Sequence, residues 1–267
     1  MNIKSLVSKF TIYQYMIIFL EVLVLVSAFF YGFGAKALLP VLIAVFTTTI
    51  LDSAISYYKT KQWEFPQSAF ISGLFIGGLL VQGLRWYIYP IAGIIAILSK
   101  HLIKIKGKHI FNPANIGVLA VSVFFGVSHN WWISSPLVLV LLFGIFIIWR
   151  LRRFDLTLSF LFSYYLVNSV IELSKGVQYS DIYLTIFNGS ICFFSMFMLI
   201  EPKTNPSGKK QRIAYGILVA LFLIVLHIKI PKHDLPLALA IGNIFVPILN
   251  RISFDFKKKD EAQPNQT

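Results

Sequence analysis

Residues 108–117 read KHIFNPANIG and place polar side chains where an apolar segment begins. Pro113 lacks a backbone N–H and therefore suits the first turn of a helix. Asn112, directly before it, can accept hydrogen bonds from the first free amides of that helix. Asn115 and Gly117 then put an amide and a bare backbone inside the apolar segment. Because a helix that only crosses a bilayer gains nothing from these residues, the sequence predicts a helix start that holds a ligand.

The composition is that of a membrane protein. Of the 267 residues, 57% are hydrophobic and only 13% are charged, whereas a soluble domain carries about 25% charge. The net charge of +13 does not indicate nucleic acid, because the cations lie at the ends of apolar segments rather than on one face. The sole cysteine, Cys192, excludes an internal disulfide or a cysteine-ligated cluster. We therefore expect the lipid bilayer as the surrounding phase.

Ten apolar segments predict an all-α polytopic membrane protein, a single transmembrane domain over residues 1–256. A full span needs about 20 residues, so the shorter segments at 86–99, 110–127, 133–149 and 213–228 are candidates for broken or re-entrant helices. The segments are 11–34, 37–58, 68–84, 86–99, 110–127, 133–149, 156–174, 182–200, 213–228 and 235–250.

Ten crossings divide into two sets of five, and an odd number in each set makes two homologous halves inverted. This predicts repeats over residues 11–127 and 133–250, with Asn115-Ile116-Gly117 and Gly242-Asn243-Ile244 at comparable places. The alternative is that any ten-helix chain divides by two. Residues 257–267 are polar and predict a disordered tail.

The basic residues predict the orientation. With both termini in the cytoplasm, most of the 24 Lys and Arg residues fall in inner stretches, as membrane insertion favours. The outer stretches hold only five: Lys36, Arg85, Lys175, Lys229 and Lys232. On this topology Asn130, Trp131 and Trp132 are expected in an outer aromatic belt.

Two further stretches are candidates for binding. Ser72, Gly73 and Gly77 are small residues in the third segment that would let a flat ring or another backbone approach, and tight helix packing is the more common explanation. Thr204 and Asn205 lie between two prolines in a cationic loop after Glu201, where an ordinary cytoplasmic loop is the alternative.

Two acids lie at depth in apolar segments. Glu21 is near the middle of the first segment, and Asp52 is about two helical turns from the basic end of the second. Because an ionisable group at bilayer depth costs about 2.5–3.5 kcal/mol on insertion scales, both are candidates for an ion pathway. For Asp52 the alternative is a structural pair with a basic residue near the inner face.

The order of these motifs resembles the NqrB/RnfD membrane subunits of ion-pumping flavin electron-transport complexes. The resemblance rests on residues 68–78, 99–117 and 197–206, more weakly on 242–250, and the compact length is similar to the short UnbU-like branch of enediyne biosynthesis. It implies a ten-helix inverted-repeat fold in the bacterial plasma membrane. It also implies riboflavin or FMN held noncovalently near the start of the helix at Pro113.

The resemblance assigns roles to individual residues. Asn112 matches the family's flavin-contacting asparagine, and His109 stands where a second asparagine is common. The family's full-length members carry FMN on a threonine in an outer loop, whereas residues 127–135 here have no threonine. We therefore expect no covalent FMN. The expected flavin contacts are Asn112, His109, Phe111, Pro113, Asn115, Ser72, Gly73, Gly77, Thr204 and Asn205.

The leading hypothesis is a membrane redox subunit that binds a flavin and takes part in electron transfer, coupled or not to ion transport. It would receive electrons from a partner subunit or a flavin reductase. One alternative is a small-solute or ion transporter of the same fold, with Glu21 and Asp52 along the route. A second alternative is a scaffold that has lost the cofactor.

Overall fold

The computed structural model describes residues 10–178, 181–182 and 188–252, so the predicted tail at 257–267 lies outside the described residues. Ten helices in the described part match the ten predicted segments and confirm the all-α polytopic fold. They are α1 Ile12–Phe30, α2 Leu38–Thr60, α3 Gln67–Leu79, α4 Ile88–Leu102, α5 Pro113–Phe124, α6 Leu137–Leu151, α7 Phe154–Ser174, α8 Gly189–Phe193 with a π-helical turn Phe194–Met198, α9 Lys209–Lys229 and α10 Asp234–Leu249. A short antiparallel hairpin joins α4 to α5, with β1 at Lys104–Ile105 and β2 at Lys108–His109.

Helix length divides the bundle into two groups. Five helices are long and apolar enough to cross a membrane: α1, α2, α7, α9 and α10, the second and last together with a preceding 3₁₀ turn. The others, α3, α4, α5, α6 and α8, are shorter. The segment predicted at 213–228 was expected to be short, but α9 begins earlier, at Lys209, and has 21 residues. Its first turn is basic, and hydropathy alone therefore placed its start too late.

Local sequence explains where several helices begin and end. Thr11 and Gln14 form a reciprocal capping box at the start of α1. Lys61 and Arg152 adopt left-handed backbone conformations directly after α2 and α6 and stop those helices. These stops place cationic side chains at the helix ends.

One end of the bundle gathers the ends of α2, α4, α6 and α10 and the starts of α3, α5, α7 and α9, and we call it the basic face. Contacts between distant segments define it: Lys100 bonds Asp52 and Ser68, Arg212 bonds Asp155, and Ser207 bonds Asn250. This is the face that the distribution of Lys and Arg predicts to be cytoplasmic.

The two sets of five helices share part of their packing. In the first set α2 packs on α4 and α4 on α5; in the second α7 packs on α9 and α9 on α10. The sets meet where α5 lies against α10. There the Asn115 side chain donates to the Pro236 carbonyl at 2.8 Å, and the backbone N–H of Asn112 donates to the side-chain oxygen of Asn243 at 3.2 Å. Asn115 is in the first turn of its helix and Asn243 is in the second half of its own, so the two asparagines do not occupy equivalent positions.

The linker between the sets enters the bundle. Trp131 and Trp132 are buried, the latter 1% exposed, so the expected outer aromatic belt is wrong for these residues. The Trp132 indole N–H donates to the Gly77 carbonyl at 2.9 Å, and the backbone N–H of Asn130 donates to the Leu79 carbonyl at 3.0 Å. The linker thus supplies partners for carbonyls that the short helix α3 leaves free at its end.

Candidate functional site

The start of α5 is built as its sequence predicts. The Asn112 side chain accepts a hydrogen bond from the Asn115 amide at 3.1 Å, and Pro113 is the first residue of the helix. Asn112 is buried, and its own amide is bonded to Asn243. An asparagine cap, a proline and an interhelical bond together fix this helix start inside the protein.

A small cavity lies beside Asn112 at the junction of the two sets of helices. Its volume is about 80 Å³. The lining is mostly apolar, with a few polar residues among it. It is lined by Ile12, Tyr13, Met16, Ser68, Ile71, Ser72, Phe75, Asn112, Pro113, Leu151, Phe197, Ile200, Glu201 and Pro202.

A second, larger depression opens at the basic face on the other side of the same wall. We call it the hairpin cleft, and its volume is about 390 Å³. It is lined by Ile105, Lys106, Lys108, His109, Ile110, Lys203, Asn243, Val246, Pro247, Asn250 and Arg251. Four Lys and Arg side chains among these residues make it strongly basic.

The wall between cavity and hairpin cleft consists of two polar pairs. His109 lines the cleft and Glu201 lines the cavity, and His109 Nε2 lies 3.0 Å from Glu201 Oε1. Asn243 lines the cleft and accepts from the amide of Asn112, which lines the cavity. Each pair therefore has one member on either side.

The loop after α8 holds Glu201 in place. Thr204 Oγ1 lies 3.3 Å from the second carboxylate oxygen of Glu201, and the Asn205 side-chain amide donates to the Glu201 carbonyl at 2.8 Å. The side-chain amide of Asn243 donates to the Thr204 carbonyl and to the Tyr215 hydroxyl. Thr204 and Asn205 thus support the wall and do not line the cavity.

Three of the predicted flavin contacts, Ser72, Asn112 and Pro113, line the cavity, and His109 reaches it only through Glu201. Phe111 is half-buried and outside the lining, and Asn115 is turned towards Pro236. Its side-chain oxygen is buried without a hydrogen-bond partner in the described part of the chain.

The two glycines expected to make room for a flat ring face α2 instead. A Cβ on Gly73 would lie 2.4 Å from the Val45 Cα, and one on Gly77 would lie 2.4 Å from the Val41 Cα. Their expected role beside a ligand is therefore corrected, because the space they leave is filled by a neighbouring backbone. They allow α2 and α3 to pack closely.

The two acids proposed for an ion pathway lie in different surroundings. Asp52 accepts from Lys100 at 2.8 Å and contacts His101 at 2.6 Å, which corresponds to the structural pair weighed as the alternative. Glu21 lies on α1, and its side chain has no ion pair in the part of the chain that the structure describes. Neither acid lines the cavity beside Asn112.

Several residues that build the site were not predicted to lie beside Asn112. Asn243, Glu201 and Tyr13 reach the junction from segments far from Asn112 along the chain. Glu201 at a helix end, followed by two prolines and a cationic loop, did indicate a shaped turn, but not its contact with His109.

Two stretches of the chain, residues 4–136 and 132–256, match the model of the NQR2, RnfD, RnfE family. The chain belongs to this family. In this NQR2, RnfD, RnfE family member the two matched stretches correspond to the two sets of five helices, and they overlap in the buried linker. Membership establishes a polytopic membrane subunit of the NqrB/RnfD type. The cavity beside Asn112 lies where the matched halves meet.

Proposed function

We propose that this chain is a redox subunit that binds a flavin noncovalently beside the start of α5 and takes part in electron transfer in the plasma membrane. The observation that carries the proposal is the cavity at Asn112. Apolar and aromatic walls with a few convergent polar groups are typical of cofactor sites. Phe75 and Phe197 supply aromatic walls, and Ser72 and Asn112 supply hydrogen-bonding groups.

The residue types fit a flavin, but the space requires a local rearrangement. A cavity of about 80 Å³ is several times smaller than the roughly 300–1,000 Å³ of ordinary ligand pockets. Tyr13 and Met16 cover it from the first turns of α1. Binding would therefore displace these side chains, and a smaller residue at position 13 should favour binding.

A bound flavin would carry the electrons, and the protein would set its position and polarity. Asn112 is held by its bonds to Asn115 and Asn243 and would orient the ring. Glu201, kept in place by His109 and Thr204, would put a carboxylate at the cavity edge. No covalent link is proposed. The electron donor would be a partner subunit or a flavin reductase at the basic face, with both termini in the cytoplasm.

The test is the visible spectrum of the purified protein. The wild type should carry about one flavin per chain. Asn112→Ala should lose most of it while keeping its elution volume and helicity, since losing a helix cap costs only about 1 kcal/mol. The matched control is Asn130→Ala, which removes an asparagine from the linker, outside the cavity lining.

Two outcomes would overturn this function. A wild-type protein that is colourless and stays colourless after incubation with riboflavin or FMN would show that the chain binds no flavin. Unchanged flavin content in a folded Asn112→Ala protein would show that the flavin is not bound beside Asn112. No particular observation favours the transporter alternative, because Asp52 is held in an ion pair with Lys100 and Glu21 does not line the cavity beside Asn112.

A further inference from the structure

A second basic cleft lies at the basic face, well separated in sequence from the residues around Asn112. It lies between the α6–α7 turn and the start of α9, and we call it the arginine cleft. Its volume is about 450 Å³, within the range of ligand sites. It is lined by Trp149, Arg150, Arg152, Phe154, Asp155, Lys209 and Arg212.

The charge in this cleft is not balanced. Asp155 is the one acid among its lining residues, and it is already paired with Arg212, whose Nε lies 2.8 Å from Asp155 Oδ2. Arg212 also donates to the Ser207 carbonyl. The side chains of Arg150, Arg152 and Lys209 have neither an ion pair nor a hydrogen bond in the described part of the chain. Three cations therefore remain free to hold an anion.

The half-buried Arg153 of the same turn indicates how positive the surroundings are. Burial lowers the pKa of the Arg153 guanidinium, and the charge of Arg212 lowers it further, against the opposing effect of Asp155. Its Nε is buried without a hydrogen-bond partner among the described residues. A negative group nearby would relieve this accumulation of positive charge.

The start of α9 adds donors to the cleft. Gly208 is the residue before the helix, and no side chain caps its first amides. Because α9 has 21 residues, its free N–H groups and positive end favour an anion beside Lys209.

The rim of the cleft is aromatic and faces outward from the bundle. Trp149 is 56% exposed and Phe154 is 41% exposed, at the end of α6 and the start of α7. Tryptophan at a helix end is typical of the level of the lipid headgroups. A ligand seated here would meet cations at one end and apolar rings at the other, which fits an amphiphile better than a soluble anion.

We propose that the arginine cleft binds the phosphate of an anionic membrane phospholipid. Arg150, Arg152 and Lys209 contact the headgroup, and Trp149 and Phe154 lie against its acyl chains. Basic pockets between membrane helices recognise such headgroups by this combination of charge and apolar contact. The proposal does not depend on flavin binding.

The test measures lipid retention by native mass spectrometry and the thermal shift on adding phosphatidylglycerol or phosphatidylcholine to the detergent-purified chain. Wild type should retain phosphatidylglycerol selectively. The double variant Arg150→Gln with Arg152→Gln should bind it about thirty-fold more weakly, which corresponds to about 2 kcal/mol for two lost cations. The control is Lys61→Gln with Lys104→Gln, which removes the same charge from exposed positions outside the cleft.

Each outcome decides the proposal. Equal phosphatidylglycerol retention by the arginine variant and the control variant would overturn it. A shift of equal size with inorganic phosphate alone would also overturn it, because the ligand would then be a soluble anion. If the double arginine variant does not fold, Lys209→Gln leaves the turn intact and should still weaken phosphatidylglycerol binding about fivefold; no change in that variant would contradict the proposal.

Discussion

In the first half of the bundle, α2 and α4 hold Asp52 between Lys100 and His101; in the second half, α7 and α9 hold Asp155 against Arg212. These are corresponding helix pairs in the two repeats. Because the repeats are inverted, the first pair of charges lies near the ends of its helices and the second near the beginnings. Both carboxylates are nonetheless at the basic face.

The surroundings of the two carboxylates differ. The Asp52 and Lys100 side chains are 4% and 13% exposed, and Lys100 also donates to Ser68 at 2.8 Å, so its charge is satisfied within the protein. The Asp155 and Arg212 side chains are buried to a similar degree, 8% and 12% exposed, but they line a cleft whose cations outnumber the acid. The same helix pair thus forms a closed structural cluster in one half and, in the other, a buried ion pair at the side of an open basic cleft.

The largest effect should follow from breaking the closed cluster. Asp52→Asn keeps the shape of the side chain but leaves Lys100 buried without its counter-charge. Removing one member of a buried pair costs about 3–5 kcal/mol. We expect a loss near the lower end of this range in the free energy of unfolding, measured by denaturant titration in detergent micelles.

The matched control for that variant is Glu172→Gln, which breaks the exposed Lys175–Glu172 pair on α7. Exposed pairs contribute at most about 1 kcal/mol, so this change should be small. Adding Lys100→Met to Asp52→Asn should restore much of the stability. Equal losses of unfolding free energy for Asp52→Asn and Glu172→Gln would show that the Asp52 cluster stabilises the fold no more than an exposed ion pair does.

A smaller effect is expected in the second half. Asp155→Asn breaks a pair that is also buried, but it should cost less than the roughly 3–5 kcal/mol of a closed pair, because Arg212 keeps its hydrogen bond to the Ser207 carbonyl and lines an open cleft. The same change removes the acid from the cleft and should strengthen phosphatidylglycerol binding about fivefold. Thermal unfolding and lipid retention measured on one preparation check both parts, and weaker retention would contradict the contrast between the halves.

The smallest effect concerns the junction of the halves. His129 accepts a hydrogen bond from the Trp131 indole N–H at 2.9 Å, so its proton is on the other nitrogen and a second proton would break the bond. Burial lowers the pKa of His129, as does His233, while Asp234 opposes them. Since the unfolded state takes up the proton first, stability should fall as the pH drops below about 6.5.

The measurement is the melting temperature of wild type and His129→Gln between pH 7.5 and 5.5. The wild type should lose more on acidification than the variant, by a small margin because other histidines titrate as well. Parallel pH profiles would show that His129 does not respond to pH in this range.

Local features could be predicted from the sequence, and long-range ones could not. The ten segments follow from hydropathy, and the cap at Asn112 follows from its position before Pro113; the structure confirms both. The partners of Asp52 are on another helix 48 and 49 residues away, and Glu201 is 92 residues from His109. Nothing in the local pattern distinguishes a glycine beside a ligand from Gly73, which packs on a neighbouring helix, because both are small.

The buried linker has a consequence for how such a protein could be divided. Residues 132–136 belong to both family matches, and the amides of Asn130 and Trp131 complete the end of α3 in the first repeat. A five-helix fragment that stopped at Phe124 would leave the carbonyls of Leu79 and Gly77 without these hydrogen-bond donors. Because the first family match extends to residue 136, a unit cut at that boundary would keep all of these hydrogen-bond partners, and separate expression of the first repeat should therefore include the linker.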